Sequence, residues 1–105
     1  MNPEFEWDNA KASDNYAKHA VSFEAAKRAF NDPFAIEWLN DRFDYGEDRY
    51  NLLGVVDGRL LFIAYTLRND VIRLISARGA EPNERRRYYE DNALQVERTH
   101  RLDTL

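Results

Sequence analysis

Two apolar runs, Tyr50 to Val56 and Arg59 to Leu67, are separated only by Asp57-Gly58. That dipeptide tolerates the positive φ angles of a two-residue turn, so the runs are expected to fold back on each other as an antiparallel hairpin. A second short connector, Arg68-Asn69-Asp70, leads into Val71 to Arg78. It is too short for the crossover that a parallel partner needs, which extends the hairpin into an antiparallel meander. Upstream, Phe34, Ile36 and Trp38 alternate with Ala35 and Glu37, the period of a half-buried strand. The centre of the chain is therefore expected to be a four-stranded antiparallel sheet.

Helices flank it. Phe5, Glu6 and Trp7 read as a short extended start, after which Asp8 is placed to cap a helix over Asn9 to His19, with Ala12, Tyr16 and Ala20 on one face. Ser22 is a second cap, for a segment with Phe23, Ala26 and Phe30 at helical spacing. Asn31-Asp32-Pro33 ends it, because proline lacks the helical N–H and disfavours helical geometry in the residue before it. Gly79 stops the last strand, and Pro82 suits the first turn of a final helix, with Tyr89, Ala93 and Val96 as its inward side and Thr99 to Leu105 fraying. The order predicts an α+β fold: two N-terminal helices, the four-stranded sheet and a C-terminal helix. Residues 1–105 are expected to form a single domain, since Gly and Pro are too sparse for an internal linker.

The chain has no Cys, which excludes disulfides and thiolate chemistry and suits the cytoplasm. No apolar run approaches the roughly 20 residues needed to span a bilayer, and the start lacks the pattern of a secretory signal, so no membrane association is expected. His19 and His100 have no neighbouring ligands at metal-binding spacing, and there is no glycine-rich phosphate loop. Neither a metal nor another cofactor is expected.

The formal net charge is −4, yet residues 59 to 87 hold seven Arg and no Lys, opposed only by Asp70, Glu81 and Glu84. A local cationic site on an acidic protein suits phosphate recognition by the planar guanidinium fork. RNA can be cut without a metal when its own 2′-OH attacks the adjacent phosphorus, which requires a base, cations for the developing charge and a proton donor. Arg68 and Arg78 are the candidate clamps, and Glu84 with Tyr88, four apart on the last helix, the candidate proton-handling pair. Arg73 joins Arg78 on one phosphate only if a bulge intervenes, because their odd spacing puts them on opposite faces of a regular strand. Of Arg85, Arg86 and Arg87, which point in three directions, one or two at most can line a site. Lys18 and His19 are candidate supports, although His19 also sits where a His favours a helix C-terminus. Trp7, Trp38 and Tyr65 are able to stack bases, but their apolar, periodic settings favour core packing. The acidic loop from Asn40 to Asp48 is either solvated or meets a basic partner.

The pattern Phe5-Glu6-Trp7-Asp8, Lys11, Asn15, Lys18-His19, Val21-Ser22-Phe23-Glu24, then Val71-Ile72-Arg73-Leu74-Ile75-Ser76-Ala77-Arg78 and Glu84 to Tyr88, resembles the BrnT family over about residues 4 to 90. The resemblance implies a RelE-like fold and an endoribonuclease toxin of a type II toxin-antitoxin system that inhibits translation. It also implies a BrnA-like antitoxin that neutralises the toxin in a hetero-oligomer and contacts operator DNA. Its catalytic candidates would be Arg68, Arg78, Glu84, Tyr88 and His19, with Lys18, Arg73, Arg85 and Arg86 on RNA. Ala20 and Gly79 depart from the family pattern, which commonly has glycine after Lys-His and a basic residue after Ile-Ser-Ala-Arg. With the net acidity, they leave an alternative open: a non-catalytic homologue that acts only by binding its partner.

Overall fold

In the computed structural model, residues 3–42, 44 and 46–103 are described, with side chains as far as residue 93. The elements follow in the order β1 (Phe5–Glu6), α1 (Asn9–His19), α2 (Phe23–Ala26), a 3₁₀ turn (Lys27–Asn31), β2 (Ile36–Asn40), β3 (Arg49–Val56), β4 (Arg59–Arg68), β5 (Val71–Gly79) and α3 (Pro82–Asp103). Both hairpins form at the expected turns. Asp57 and Gly58 take φ of 50° and 80°, and Asn69 and Asp70 take 53° and 67°, the positive values that match the twist of the paired strands. Asp8 caps α1 by accepting from the Lys11 N–H at 3.0 Å, and Ser22 caps α2 by accepting from the Ala25 N–H at 3.0 Å.

The sheet has five strands, in the order β1-β5-β4-β3-β2, and is mixed rather than purely antiparallel. Phe5 lies opposite Ile72 and Glu6 opposite Arg73 in parallel register, so the short extended start becomes an edge strand. Beyond β1 the same edge of β5 is met by a side chain. Asn15 Nδ2 donates to the carbonyls of Val21 and Ala77, both at 2.9 Å, while its Oδ1 accepts from the Ala77 N–H at 3.1 Å. The expected apolar face of α1 is corrected accordingly: Tyr16 is exposed, and Asn15 is the buried residue of the helix. A helix lying along an open strand edge must satisfy backbone N–H and C=O groups there, which Tyr16 would not do.

One face of the sheet carries the main core. Leu52, Leu61, Ile63, Tyr65, Leu74 and Ala77 pack beneath Val21, Phe23, Ala26 and Ala29, with Trp7 edge-on to Phe23. Gly54 is required at the closest approach, because a Cβ there would stand 2.6 Å from the Ala29 carbonyl oxygen. On the other face α3 covers Leu53 and Leu60 with Tyr88. The phase expected for α3 is thus corrected: Tyr88 is buried while Tyr89 and Ala93 are exposed, and the Val96 side chain lies outside the described residues. The helix runs to Asp103, and residues 104–105 lie outside the description. Phe34, expected at the start of β2, is exposed in a turn held by Asp32, whose Oδ1 accepts from the Phe34 N–H at 2.9 Å. None of the described helices is long and apolar enough to cross a membrane.

Candidate functional site

Regular strands fix which residues share a face, and one irregularity matters here. Ala64 pairs with Ser76 and Tyr65 with Leu74, leaving Ile75 as an extra residue in β5. A bulge of this kind shifts the alternation by one. Arg78 stands opposite Phe62 and Arg73 opposite Thr66, four residues apart on β4, so both arginines face the α3 side of the sheet. The condition set by their odd spacing is met. Arg73 is drawn to Glu6 at 3.7 Å.

On that side, α3 leaves an open cleft of roughly 700 Å³ whose lining includes Trp38, Asn51, Phe62, Arg78, Glu84 and Arg87. Arg78 forms a two-pronged pair with Glu84, Nη1 to Oε1 and Nη2 to Oε2, both 2.8 Å, and its guanidinium lies 4.4 Å over the Phe62 ring. Glu84 also accepts the Glu81 N–H at 2.8 Å, the reach-back of a residue in the third position of a helix to its capping residue. Arg87, one turn on, lies 3.8 Å over the Trp38 ring. Of the three arginines that line the cleft, Arg42, Arg78 and Arg87, the last two are each seated on an aromatic ring, and Arg78 is paired with the Glu84 carboxylate.

Burial would raise the pKa of Glu84, but hydrogen bonds from Arg78 and the Glu81 N–H, with the Arg78 charge, outweigh it and hold the carboxyl below its ordinary value. The hydrogen bonds to Glu84 raise the Arg78 pKa further. Tyr88 does not meet Glu84. Its hydroxyl donates to Asp32 Oδ2 at 2.6 Å, and the same oxygen accepts the Val55 N–H at 2.8 Å. Burial and the bond to Asp32 push the Tyr88 hydroxyl pKa up, while Asp32 is lowered because its hydrogen bonds outweigh its own burial. Tyr88 therefore fixes α3 over the cleft. Asn92 Nδ2 helps by donating to the Phe34 carbonyl at 3.1 Å.

Asp32 and Glu84 both have lowered pKa values in the fold, so their contribution is complete above the unfolded carboxylate range of about 4 and is lost as pH falls through the lowered values. We expect melting temperature to drop steeply on acidification below about pH 4. Asp32→Asn should lower the neutral-pH melting point and flatten that acid limb; an unchanged limb in thermal melts would show that Asp32 is not linked to folding.

The other candidates lie elsewhere. Arg68 is six residues from Phe62 along β4, about 20 Å from the row that holds Arg78, and is 3.4 Å from Glu47. Lys18 and His19 are exposed at the end of α1, and Arg85 and Arg86 are exposed on α3 outside the cleft. Arg87, not its neighbours, is the member of the triplet that enters. The sequence alone leaves open which of the triplet lines a site and gives no sign of Asn51 or Asp32 there, although Arg87 is three residues from Glu84 and so on its face of the helix. Trp38 lines the cleft, whereas Trp7 and Tyr65 are packed in or against the core. Of the acidic loop, Asp41 and Asp44 are exposed, and Phe43 and Tyr45 lie outside the described residues.

A family model described as "Ribonuclease toxin, BrnT, of type II toxin-antitoxin system" matches residues 7–84, well over half of the chain. No curated protein matches.

Proposed function

The chain belongs to the BrnT family of ribonuclease toxins of type II toxin-antitoxin systems, and from that premise we propose that it cleaves RNA in the cleft between α3 and the sheet, inhibiting translation. The observation that carries the reading is the Arg78–Glu84 pair in an open cleft flanked by Arg87. In this reading the RNA 2′-oxygen attacks the adjacent phosphorus and the bond to the 5′ oxygen breaks, leaving a 2′,3′-cyclic phosphate and a 5′-hydroxyl. Glu84, held ionised, takes the 2′-OH proton; water in the open cleft supplies one to the leaving oxygen. Arg78 and Arg87 stabilise the charge on the phosphoryl oxygens, the larger effect in such chemistry. Arg73, on the same face, extends the cationic track. Tyr88 acts as a positioning residue. Lys18, His19, Arg68, Arg85 and Arg86 are left for contacts with RNA or partner beyond the cleft.

A type II toxin implies a cognate antitoxin. We assign that role to a BrnA-like protein that covers the cleft and links the complex to operator DNA. The RelE-like fold implied by the family suits this chemistry, because an open sheet face admits a single strand of RNA.

Induction of the chain in cells without antitoxin is expected to arrest protein synthesis rapidly and to generate new RNA 5′-hydroxyl ends. Normal growth at good expression of folded protein would instead favour a partner-binding homologue without catalysis. One observation speaks for that second reading: the Arg78 fork is already filled by Glu84.

A further inference from the structure

Three polar residues are buried among the described side chains: Asn15, Asn51 and Thr66. Two are in use. Asn15 makes three hydrogen bonds at the β5 edge, and the Thr66 hydroxyl donates to the Asp48 carbonyl at 2.6 Å. Asn51 is only 8% exposed, yet its amide forms no hydrogen bond with any of the described residues. Its amide nitrogen and oxygen are not among the side-chain atoms shut off from solvent without a partner, so they open onto the cleft and are available to a ligand there. The register puts Asn51 between Trp38 on β2 and Ala64 on β4, and all three line the cleft.

We propose that Asn51 reads the edge of a single unpaired nucleobase whose ring stacks within the Trp38–Arg87 corner of the cleft. This rests on the ribonuclease reading and adds a specificity residue to it. An amide presents one donor and one acceptor side by side, the complement of the donor and acceptor pairs on base edges. Aromatic rings and guanidinium planes supply the flat surfaces on which unstacked bases sit, and here the Arg87 guanidinium already lies 3.8 Å over the Trp38 ring. On the other side of Asn51, Ala64 offers only a methyl group, which leaves room for a ring. The base must be unpaired, because a paired edge has no free groups for the amide.

The test uses short RNA oligonucleotides in which each of the four bases is placed in turn at every position around the cleaved bond, with kcat/KM measured for the parent, Asn51→Leu and Asn51→Asp. The parent should discriminate at one position by about 10-fold or more, the scale of one two-pronged amide–base contact. Asn51→Leu should abolish that discrimination while its melting temperature stays level or rises, since an isosteric apolar group replaces an unused amide. Asn51→Asp, which only accepts, should shift preference towards guanine, whose N1–H and N2–H₂ both donate. A purely structural Asn51 gives the opposite pattern, lower melting temperature with ratios between bases unchanged, and overturns the proposal. Cleavage by the parent without base discrimination overturns this proposal alone. No cleavage of any oligonucleotide by the folded parent overturns the ribonuclease reading and this one with it.

Discussion

Replacing Arg78 with Ala is expected to lower RNA cleavage by about 10²-fold or more, equivalent to roughly 2.7 kcal/mol of transition-state stabilisation. The same change takes away both hydrogen bonds to Glu84, so a stability loss of roughly 1–3 kcal/mol accompanies it. Assays well below the variant's melting point separate the two effects. RNA affinity should fall much less than rate, because the charge that Arg78 meets develops only as the phosphorus is attacked. Arg78→Lys keeps a cation but loses the fork, and a compact ammonium cannot hold two oxygens of Glu84 or of a phosphoryl group in the planar two-pronged geometry. Little rescue is expected. A folded Arg78→Ala protein that cuts RNA at the parental rate would remove this residue from the catalytic set and leave Arg42 and Arg87 as the arginines of the cleft.

The largest loss of stability is expected from Asn15→Ala. Its side chain satisfies the Val21 carbonyl and both backbone groups of Ala77, and truncation strands all three in a buried place. With roughly 1–3 kcal/mol for each stranded group and incomplete additivity, a total of about 3 kcal/mol follows. In a domain of this size that lowers the melting temperature by about 12 °C or more. Asn15→Asp should be no better, since it keeps the acceptor for the Ala77 N–H but turns a negative charge on two carbonyl oxygens. Tyr16→Ala, one residue on and exposed, should be nearly silent. A shift of less than about 4 °C for Asn15→Ala would mean that water reaches these groups and the edge is not sealed as described.

This contrast shows where the sequence is legible. Asp57-Gly58 and Asn69-Asp70 encode their turns locally, through residues that tolerate positive φ, and Asp8 and Ser22 encode their caps through one hydrogen bond each. Those features were readable because cause and effect lie within four residues. Strand β1 has two residues and no period to detect, and its partner Ile72 is far along the chain. The choice between Tyr88 and Tyr89 as the inward residue depends on Asp32, which waits beneath α3 for a hydroxyl. The cleft was half visible for the same reason. Arg78 and Glu84 are six residues apart and were singled out together, whereas Trp38, Asn51 and Arg87 come from three elements and meet only when the strands are in register. The Ile75 bulge, which turns Arg73 and Arg78 to one face, has no marker in an unbroken run of strand-forming residues.

The parallel pairing of β1 with β5 also sets an order of events during synthesis. Phe5 and Glu6 leave the ribosome well before their seat on Ile72 and Arg73 exists, since more than sixty further residues must be added first, on the order of ten seconds at ordinary elongation rates. Asn15 waits on the same strand for Ala77. Hairpins of low sequence separation close quickly once made, whereas contacts across most of the chain carry the loop-closure cost and come late. A nascent chain interrupted before Val71 therefore holds the β3–β4 hairpin but has nowhere to dock Phe5 and Glu6.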